Sequence, residues 1–372
     1  MSATSKRVAL FAPSVRGGGA ERVMLQLAEG LVQRGVVVNL LLAQAEGAYL
    51  DQIPRGVVLH DLKAKRVMAS LPGAVRYLRR FKPDVMLSFM THVNLVALWA
   101  RRWAGVKTRL AISEHNMLSL SDQGGDAFKY RLLPFLARRF YPWADDVIAV
   151  SEGVANDVAS VAGLPAGRVR VIHNPVVTPK LMALAEEPLD HPWFAQHRVP
   201  VLLGVGRLEP QKDFRTLLRA FARLREAREL RLLLLGEGAL RDELEQMAVE
   251  LGISEDVSMP GFAGNPYRYM RHADVFVLSS AWEGLPGVLI EAMACGCAVV
   301  STDCPSGPRE ILRNGAYGKL VPVGDAEALA VAIGETLDNP ASSARVVERA
   351  RDFSQEVIVD RYIDRLFGLE SQ

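Results

Sequence analysis

The sequence predicts an α/β protein made of two doubly wound, parallel-sheet domains in tandem. Three observations lead there. The chain has 372 residues, more than one ordinary core organises and about right for two. Strand-sized apolar runs alternate with helical periodicity along most of its length, which is the rhythm of βαβ units. That rhythm breaks once, between about 176 and 199, in a stretch carrying Pro179, Pro188 and Pro192.

Taken in order, Arg7 to Pro13 is a short apolar run closed by proline and followed by Gly17-Gly18-Gly19. Ala20 to Arg34 then places Val23, Leu27 and Leu31 on one helical face, with Gly35 where a left-handed cap belongs. Val36 to Ala43 reads as a buried strand, so the opening is strand, glycine turn, helix, strand, and the crossover makes the strands parallel. Asp84–Ser88, Thr108–Ile112, Asp146–Val150 and Val169–Ile172 continue the series. After the proline-rich stretch, Val201–Val205, Arg231–Leu235, Val257–Met259, Val275–Leu278 and Ala298–Ser301 begin it again. The expected division is a first domain over 1–178, a linker over 179–198 and a second domain over 199–354. Open parallel sheets bind ligands at the carboxyl ends of their strands, and two such domains imply a shared cleft.

With 49% apolar and 23% charged residues, the composition excludes a disordered or fibrous chain. No apolar run approaches the ~18 residues of a membrane span, and the opening residues lack a signal peptide's apolar core, which predicts a cytoplasmic location. Cys295, Cys297 and Cys304 are too few for a disulfide framework and lack metal-ligand spacing, so they read as buried thiols with no metal. The net charge of +2 divides into +10 over residues 1–178 and −8 over 179–372. A basic half in a near-neutral chain suggests an anionic partner. Its cations cluster at Lys63–Arg66, Arg76–Lys82, Arg101–Trp103, Lys129–Arg131 and Arg138–Tyr141, mixed with aromatic residues. That mixture suits an anionic membrane surface on the inner face, or ordinary solvated helix faces. No nucleic-acid reading module accompanies it, so no nucleic-acid partner is expected.

Three motifs carry chemistry. The amides of Gly17-Gly18-Gly19, with the helix start behind them, can form a nest for phosphate or a simple tight turn. Gly-x-Gly-x-x-Gly is absent here and at Gly204 and Gly236, which disfavours a dinucleotide cofactor. Arg207 and Lys212, five residues apart after a strand, can converge on one diphosphate or be two solvated surface cations. Glu283 and Glu291 bracket a loop and the first turns of a helix, where carboxylates accept from sugar hydroxyls or stand solvated. His115, a lone histidine after a strand, reads on its own as a hydrogen-bonded structural residue.

As an ordered set, these segments resemble a retaining glycosyltransferase of the GT-B fold, close to family 4 and to enzymes of lipid-linked or surface polysaccharide synthesis. The similar features are Gly18-Gly-Ala-Glu-Arg22, Ser113-Glu-His-Asn116, Ser151-Glu-Gly153, His173-Asn-Pro-Val176, Gly206 to Phe214, Leu234 to Gly238, Glu283 to Gly296, and Thr302 to Leu312. The resemblance spans about residues 7 to 365. It implies two Rossmann-like domains facing a cleft, the first binding the acceptor and the second the nucleotide sugar, with a terminal helix, about 355–372, packed back on the first. It also implies that Gly18 and Gly19 lie near the donor phosphates, that Arg207 and Lys212 hold the diphosphate, and that Glu291 grips the ribose. Glu283 would lie near the donor sugar, Gly284, Leu285, Gly287, Val288 and Leu289 would face sugar and phosphate, Gly261 and Phe262 would lie beside the base, and His115 would approach the reacting centre.

The implied reaction moves a hexose or N-acetylhexosamine from a nucleotide-diphosphate sugar, UDP being the default on family frequency, to a hydroxyl of a glycan or lipid-linked acceptor, without a metal or other cofactor. Pro286 departs from the second glycine of Glu-Gly-Phe-Gly-Leu-Pro in many relatives and removes one N–H from the loop. The alternatives are a sugar-nucleotide epimerase of similar fold and a non-catalytic nucleotide-sugar-binding subunit.

Overall fold

The computed structural model describes residues 6–120, 127–195 and 199–368, excluding the side chains of 127–131. The chain divides into two units, residues 1–175 with 355–372, and residues 176–354. In the first, strands β1 (Arg7–Ala12), β2 (Val37–Leu42), β3 (Val58–Asp61), β4 (Val85–Phe89), β5 (Arg109–Glu114), β6 (Asp146–Ala149) and β7 (Val169–Val171) form one sheet. Its order is β3-β2-β1-β4-β5-β6-β7, with parallel pairing throughout. Helices cover both faces of such a sheet, so its central strands carry apolar runs, as β1 does from Val8 to Ala12 with each of these residues buried. The edge strand β3 escapes the sequence reading because Val58 and Leu59 are exposed, leaving no apolar run to detect.

The second unit repeats the plan with β8 (Val201–Val205), β9 (Arg231–Leu235), β10 (Val257–Gly261), β11 (Val275–Leu278), β12 (Ala298–Thr302) and β13 (Lys319–Val321), ordered β10-β9-β8-β11-β12-β13. Strand order reverses between β1 and β4 in one sheet and between β8 and β11 in the other. Those are the switch points at which an open α/β sheet offers a crevice at its carboxyl edge.

Of the stretch expected as a linker, the described residues 179–195 belong to the second unit and carry two helices. Helix Pro179–Ala185 starts at a Thr178 cap whose hydroxyl accepts the Leu181 amide at 3.1 Å. Pro179, like Pro192 of helix Pro192–Ala195, occupies a first-turn position, where its missing N–H costs nothing and its fixed φ suits the helix. These two prolines therefore start helices, while Pro188 lies between them. Asn265 ties this stretch to the unit by donating to Leu184 O at 2.8 Å.

The chain leaves the first unit after Pro175 and returns at Gln355, and Val176 and Val177 both donate to Phe353 O at the crossing, at 3.0 and 3.1 Å. Helix Gln355–Phe367 then packs on helix Gly19–Gln33. Gly30 permits the approach, since a Cβ there would stand 2.4 Å from Val359 Cγ2. Gln355 donates to Gln26 O at 2.6 Å, Arg34 pairs with Asp360 at 2.9 Å, and Arg365 pairs with the wholly buried Asp146.

Candidate active site

In the second unit the sequence-predicted residues lie at strand ends, in the loops that follow them or in the helix Gly287–Ala294 beyond β11. Arg207 follows β8, and Lys212 ends the short turn Pro210–Lys212. Asp213 caps the next helix in a left-handed conformation, φ 44°, accepting from the Thr216 hydroxyl at 2.6 Å. Ser279, beyond β11, donates to Lys212 O at 2.8 Å and fixes the lysine's backbone. The lysine stem lies over Gly206, where a Cβ would come within 3.0 Å of Lys212 Cε. Gly236 serves a similar approach, because a Cβ there would meet Gly206 O at 1.8 Å. These glycines bring the β8 and β9 loops together.

Lys212 and Glu283 form the centre of this constellation. Lys212 Nζ lies 2.6 Å from Glu283 Oε1, with the two side chains 15% and 8% exposed. The same oxygen accepts from Ser280 Oγ at 2.7 Å, while Gln211 Nε2 stands 3.5 Å from Oε2 and donates to Trp282 O at 3.0 Å. A buried ion pair keeps its charges only when such additional bonds satisfy it. Arg207 does not converge with Lys212: its side chain is 67% exposed and turns to Glu209 at 2.8 Å and Gln211 at 3.4 Å.

Glu291 lies midway along helix Gly287–Ala294, buried, with the Tyr267 hydroxyl 3.4 Å from its Oε1. Pro286 caps that helix, followed by Gly287, Val288 and Leu289, with Gly284 and Leu285 buried just before it. The Thr302–Leu312 segment clamps this loop. Ser306 donates to Gly284 O at 2.7 Å, and Gly307, φ 96°, lies so close that a Cβ would stand 2.4 Å from Pro286 Cδ. Gly261 ends β10, and Phe262 beyond it is 82% exposed, an aromatic face open to a ligand. The cysteines are free and buried, and burial pushes the Cys295 and Cys304 thiols up to about 12. Among the described residues, no three His, Cys, Asp or Glu side chains gather to hold a metal ion.

In the first unit the glycine turn has an occupant from its own helix. Gly17 and Gly18 donate their amides to Glu21 Oε2 at 2.7 and 2.8 Å, in a capping box around Gly18. At the turn where donor phosphate was expected beside Gly18 and Gly19, an internal carboxylate takes the Gly17 and Gly18 amides, while a Cβ at Gly17 or Gly19 would meet nothing within 4 Å. The spacing Gly18-x-x-Glu21 was the available signal. Near it lies a cavity of about 320 Å3, lined by Ser14, Arg16, Glu21, Glu46, Lys65 and His92. His115 is 8% exposed, with Nε2 3.1 Å from Ser113 Oγ and its ring 5.6 Å from that of Phe89. Desolvation pushes its pKa down to about 4, so the imidazole is neutral at pH 7.

Residues that the sequence reading passed over also gather here. Glu114, Asn94, Thr91 and Tyr141 share a buried network at the ends of β4 and β5. A carboxylate closing the otherwise uncharged run Leu110-Ala-Ile-Ser-Glu114 was the one sign of it.

Comparison with known proteins agrees with this layout. Residues 17–180 match the family described as Glycosyltransferase Family 4, and residues 188–353 match Glycosyl transferases group 1. The chain is 30% identical to the N-acetylgalactosamine-N,N'-diacetylbacillosaminyl-diphospho-undecaprenol 4-alpha-N-acetylgalactosaminyltransferase of Campylobacter jejuni, over 98% of this chain and 100% of that one. It is also 30% identical to the lipopolysaccharide core biosynthesis glycosyltransferase LpsE of Rhizobium meliloti, over 94% and 96%. Among solved structures, Anabaena HepE in complex with UDP superposes with a TM-score of 0.77 at 23% identity, over 98% and 100% of the two chains. The chain belongs to the glycosyltransferases of family 4 and has their GT-B fold.

Proposed function

We propose that this glycosyltransferase moves a hexose or N-acetylhexosamine from a UDP-sugar to a hydroxyl of a lipid-linked or surface glycan, with retention at the anomeric carbon and without a metal ion. The observation that carries the reading is the buried Lys212–Glu283 pair at the β8/β11 switch point. Lys212 supplies a fixed positive charge for a departing diphosphate, and Arg207, exposed beside Glu209, adds a fork that can span two phosphate oxygens. Glu283 Oε1 is occupied by Lys212 and Ser280, so Oε2 has the remaining capacity to accept from a sugar hydroxyl. Glu291, with Gly284 to Leu289, would hold ribose and phosphate, and Gly261 and Phe262 would lie along the base. The leaving diphosphate takes the acceptor proton on the face it vacates, so no general base is needed. The Campylobacter relative's name specifies a diphospho-undecaprenol acceptor, and HepE was solved with UDP, which supports the substrate classes proposed.

Contact with an anionic membrane would present such an acceptor. Met68 and Trp103 are 55% and 62% exposed beside the basic clusters of the first unit. The side chains of Lys129 and Arg131 lie outside the described residues. No helix among the described residues is long and apolar enough to cross a membrane.

The test is a panel of UDP-glucose, UDP-galactose and their N-acetylamino forms, offered with polyprenyl-diphosphate glycans in the presence of EDTA. Product mass and anomeric proton coupling are the readouts. One sugar added with an α linkage is expected from an α donor. Inversion, activity abolished by EDTA, or an epimerised donor without acceptor would each overturn the corresponding part. Sedimentation with anionic vesicles tests the membrane contact, and no binding at low salt rejects it.

A further inference from the structure

Strand β4 ends at Phe89, and the next residue, Met90, has φ 74° and ψ 140°. A side chain opposes that conformation, which persists only where the surroundings impose it. Here they do so repeatedly. Met90 donates to Ser113 O at 3.3 Å, and its carbonyl accepts from the Val93 and Asn94 amides at 3.0 and 2.9 Å. Two side chains of the same turn then reach one carboxyl group: Thr91 Oγ1 donates to Glu114 Oε2 at 3.0 Å, and Asn94 Nδ2 donates to Oε1 at 2.9 Å. The Tyr141 hydroxyl donates to Oε1 as well, and Ser88 holds Asn94 by donating to its Oδ1 at 2.7 Å. Glu114 is 2% exposed. An apolar residue would fill such a place without the desolvation that a buried carboxyl suffers. The turn lies at the β1/β4 switch point, and its third residue, His92, lines the cavity beside Arg16 and Glu21.

We propose that Glu114 is a positioning residue for glycosyl transfer, whose carboxylate holds the Met90–His92 turn in its strained shape and so sets His92 in the acceptor-side cavity. The proposal rests on the reading of the first unit as the acceptor's side. The observed bonding belongs to the ionised form. Three donors converge on its two oxygens, and protonation removes the charge that makes those bonds charge-assisted, which weakens their hold on the turn. Burial pushes the Glu114 pKa up to about 7, against the lowering by its three hydrogen bonds. The groups packed around it are few. Helix Thr91–Ala104 contributes neutral Thr91 and Asn94, and the turn Tyr141–Trp143 contributes Tyr141, its own pKa raised well above the ordinary value. β6 is followed by the Val150 amide, which bonds the Glu114 carbonyl at 3.2 Å, and helix Glu152–Ala162 contributes Asp157, a charge of like sign. Loss of the carboxylate on acidification should therefore slacken the turn.

The test compares the full chain with Glu114→Gln and Thr91→Val, using the donor and acceptor pair that turns over in the panel above. Wild-type turnover should rise about tenfold from pH 6 to pH 8. Glu114→Gln should lose that limb, and Thr91→Val should lower kcat by about tenfold with the donor KM unchanged. Stability runs the other way: with the folded pKa above the unfolded one, the stabilisation is complete below the ordinary carboxyl range and is lost as pH rises through about 7. The Tm of Glu114→Gln should therefore gain on wild type as pH rises from 5 to 8. A Glu114→Gln enzyme that keeps the wild-type pH limb, a Thr91→Val enzyme of normal kcat, or a Tm difference that is constant with pH overturns the assignment. Absence of turnover with every pair, and of any UDP-induced Tm shift, would instead overturn the function reading, and the Tm difference would still decide the state of Glu114.

Discussion

His115 and Glu283 show how far a residue's identity fixes its work and how far its neighbours do. A histidine after a strand could be structural or reactive, and the sequence left both open. In the fold it is buried against Phe89 and bonded to Ser113, with its pKa pushed down to about 4. A folded pKa below the unfolded value means that the unfolded chain takes the proton first, so the group's stabilisation, present above about 6.5, is lost as pH falls toward 4. His115→Gln should flatten the fall of Tm across that window, and an unchanged slope would show the ring to be solvated. Glu283 was legible as an acid in the right loop. What the sequence could not show is that Lys212 and Ser280 share one of its oxygens, because that depends on a contact across 71 positions. Arg207, five residues from Lys212, looked like its partner but faces Glu209.

At the level of elements, the loop before helix Gly287–Ala294 is shaped from outside. Pro286 removes a backbone donor, and the Ser306–Gly307 turn supplies compensating contacts, through the hydroxyl bond to Gly284 O and the close approach to Pro286. Gly307→Ala should cost about 1–3 kcal/mol, from a positive φ and the collision with Pro286, and should weaken UDP binding while the CD spectrum stays unchanged. Normal affinity would mean that the loop's shape is immaterial to the donor. Most central strands were readable because burial on both faces writes an apolar run, whereas β3 and β13 border the sheets, are short and carry exposed residues. The prolines after Pro175 misled for a related reason. A proline at the first turn of a helix and one in a linker look alike until the cap, here Thr178, is seen.

Over the whole molecule, the charge imbalance acquires a partial structural account. Arg79, Arg80, Arg101, Arg102, Arg138 and Arg139 stand in the last turns of their helices, where cations complement the helix dipole. Arg79 also donates to Trp103 O at 2.8 Å, and Arg101 bonds Asp145 and Trp143 O. Much of the basic surface therefore has work inside the first unit, while Lys65 after β3 joins Arg16 in lining the cavity at its carboxyl edge. The return of the chain at Gln355 completes that unit. Gly30→Leu should force helix Gln355–Phe367 away and destabilise it by about 1–3 kcal/mol, with Gly30→Ala intermediate; a Tm equal to wild type would show the packing to be loose. The account as a whole depends on a donor diphosphate held by the second unit at Lys212. Titration calorimetry of UDP against the wild-type chain and Lys212→Ala measures this most directly. A Kd raised tenfold or more, about 1.4 kcal/mol, is predicted, and equal affinity for the two proteins would contradict it.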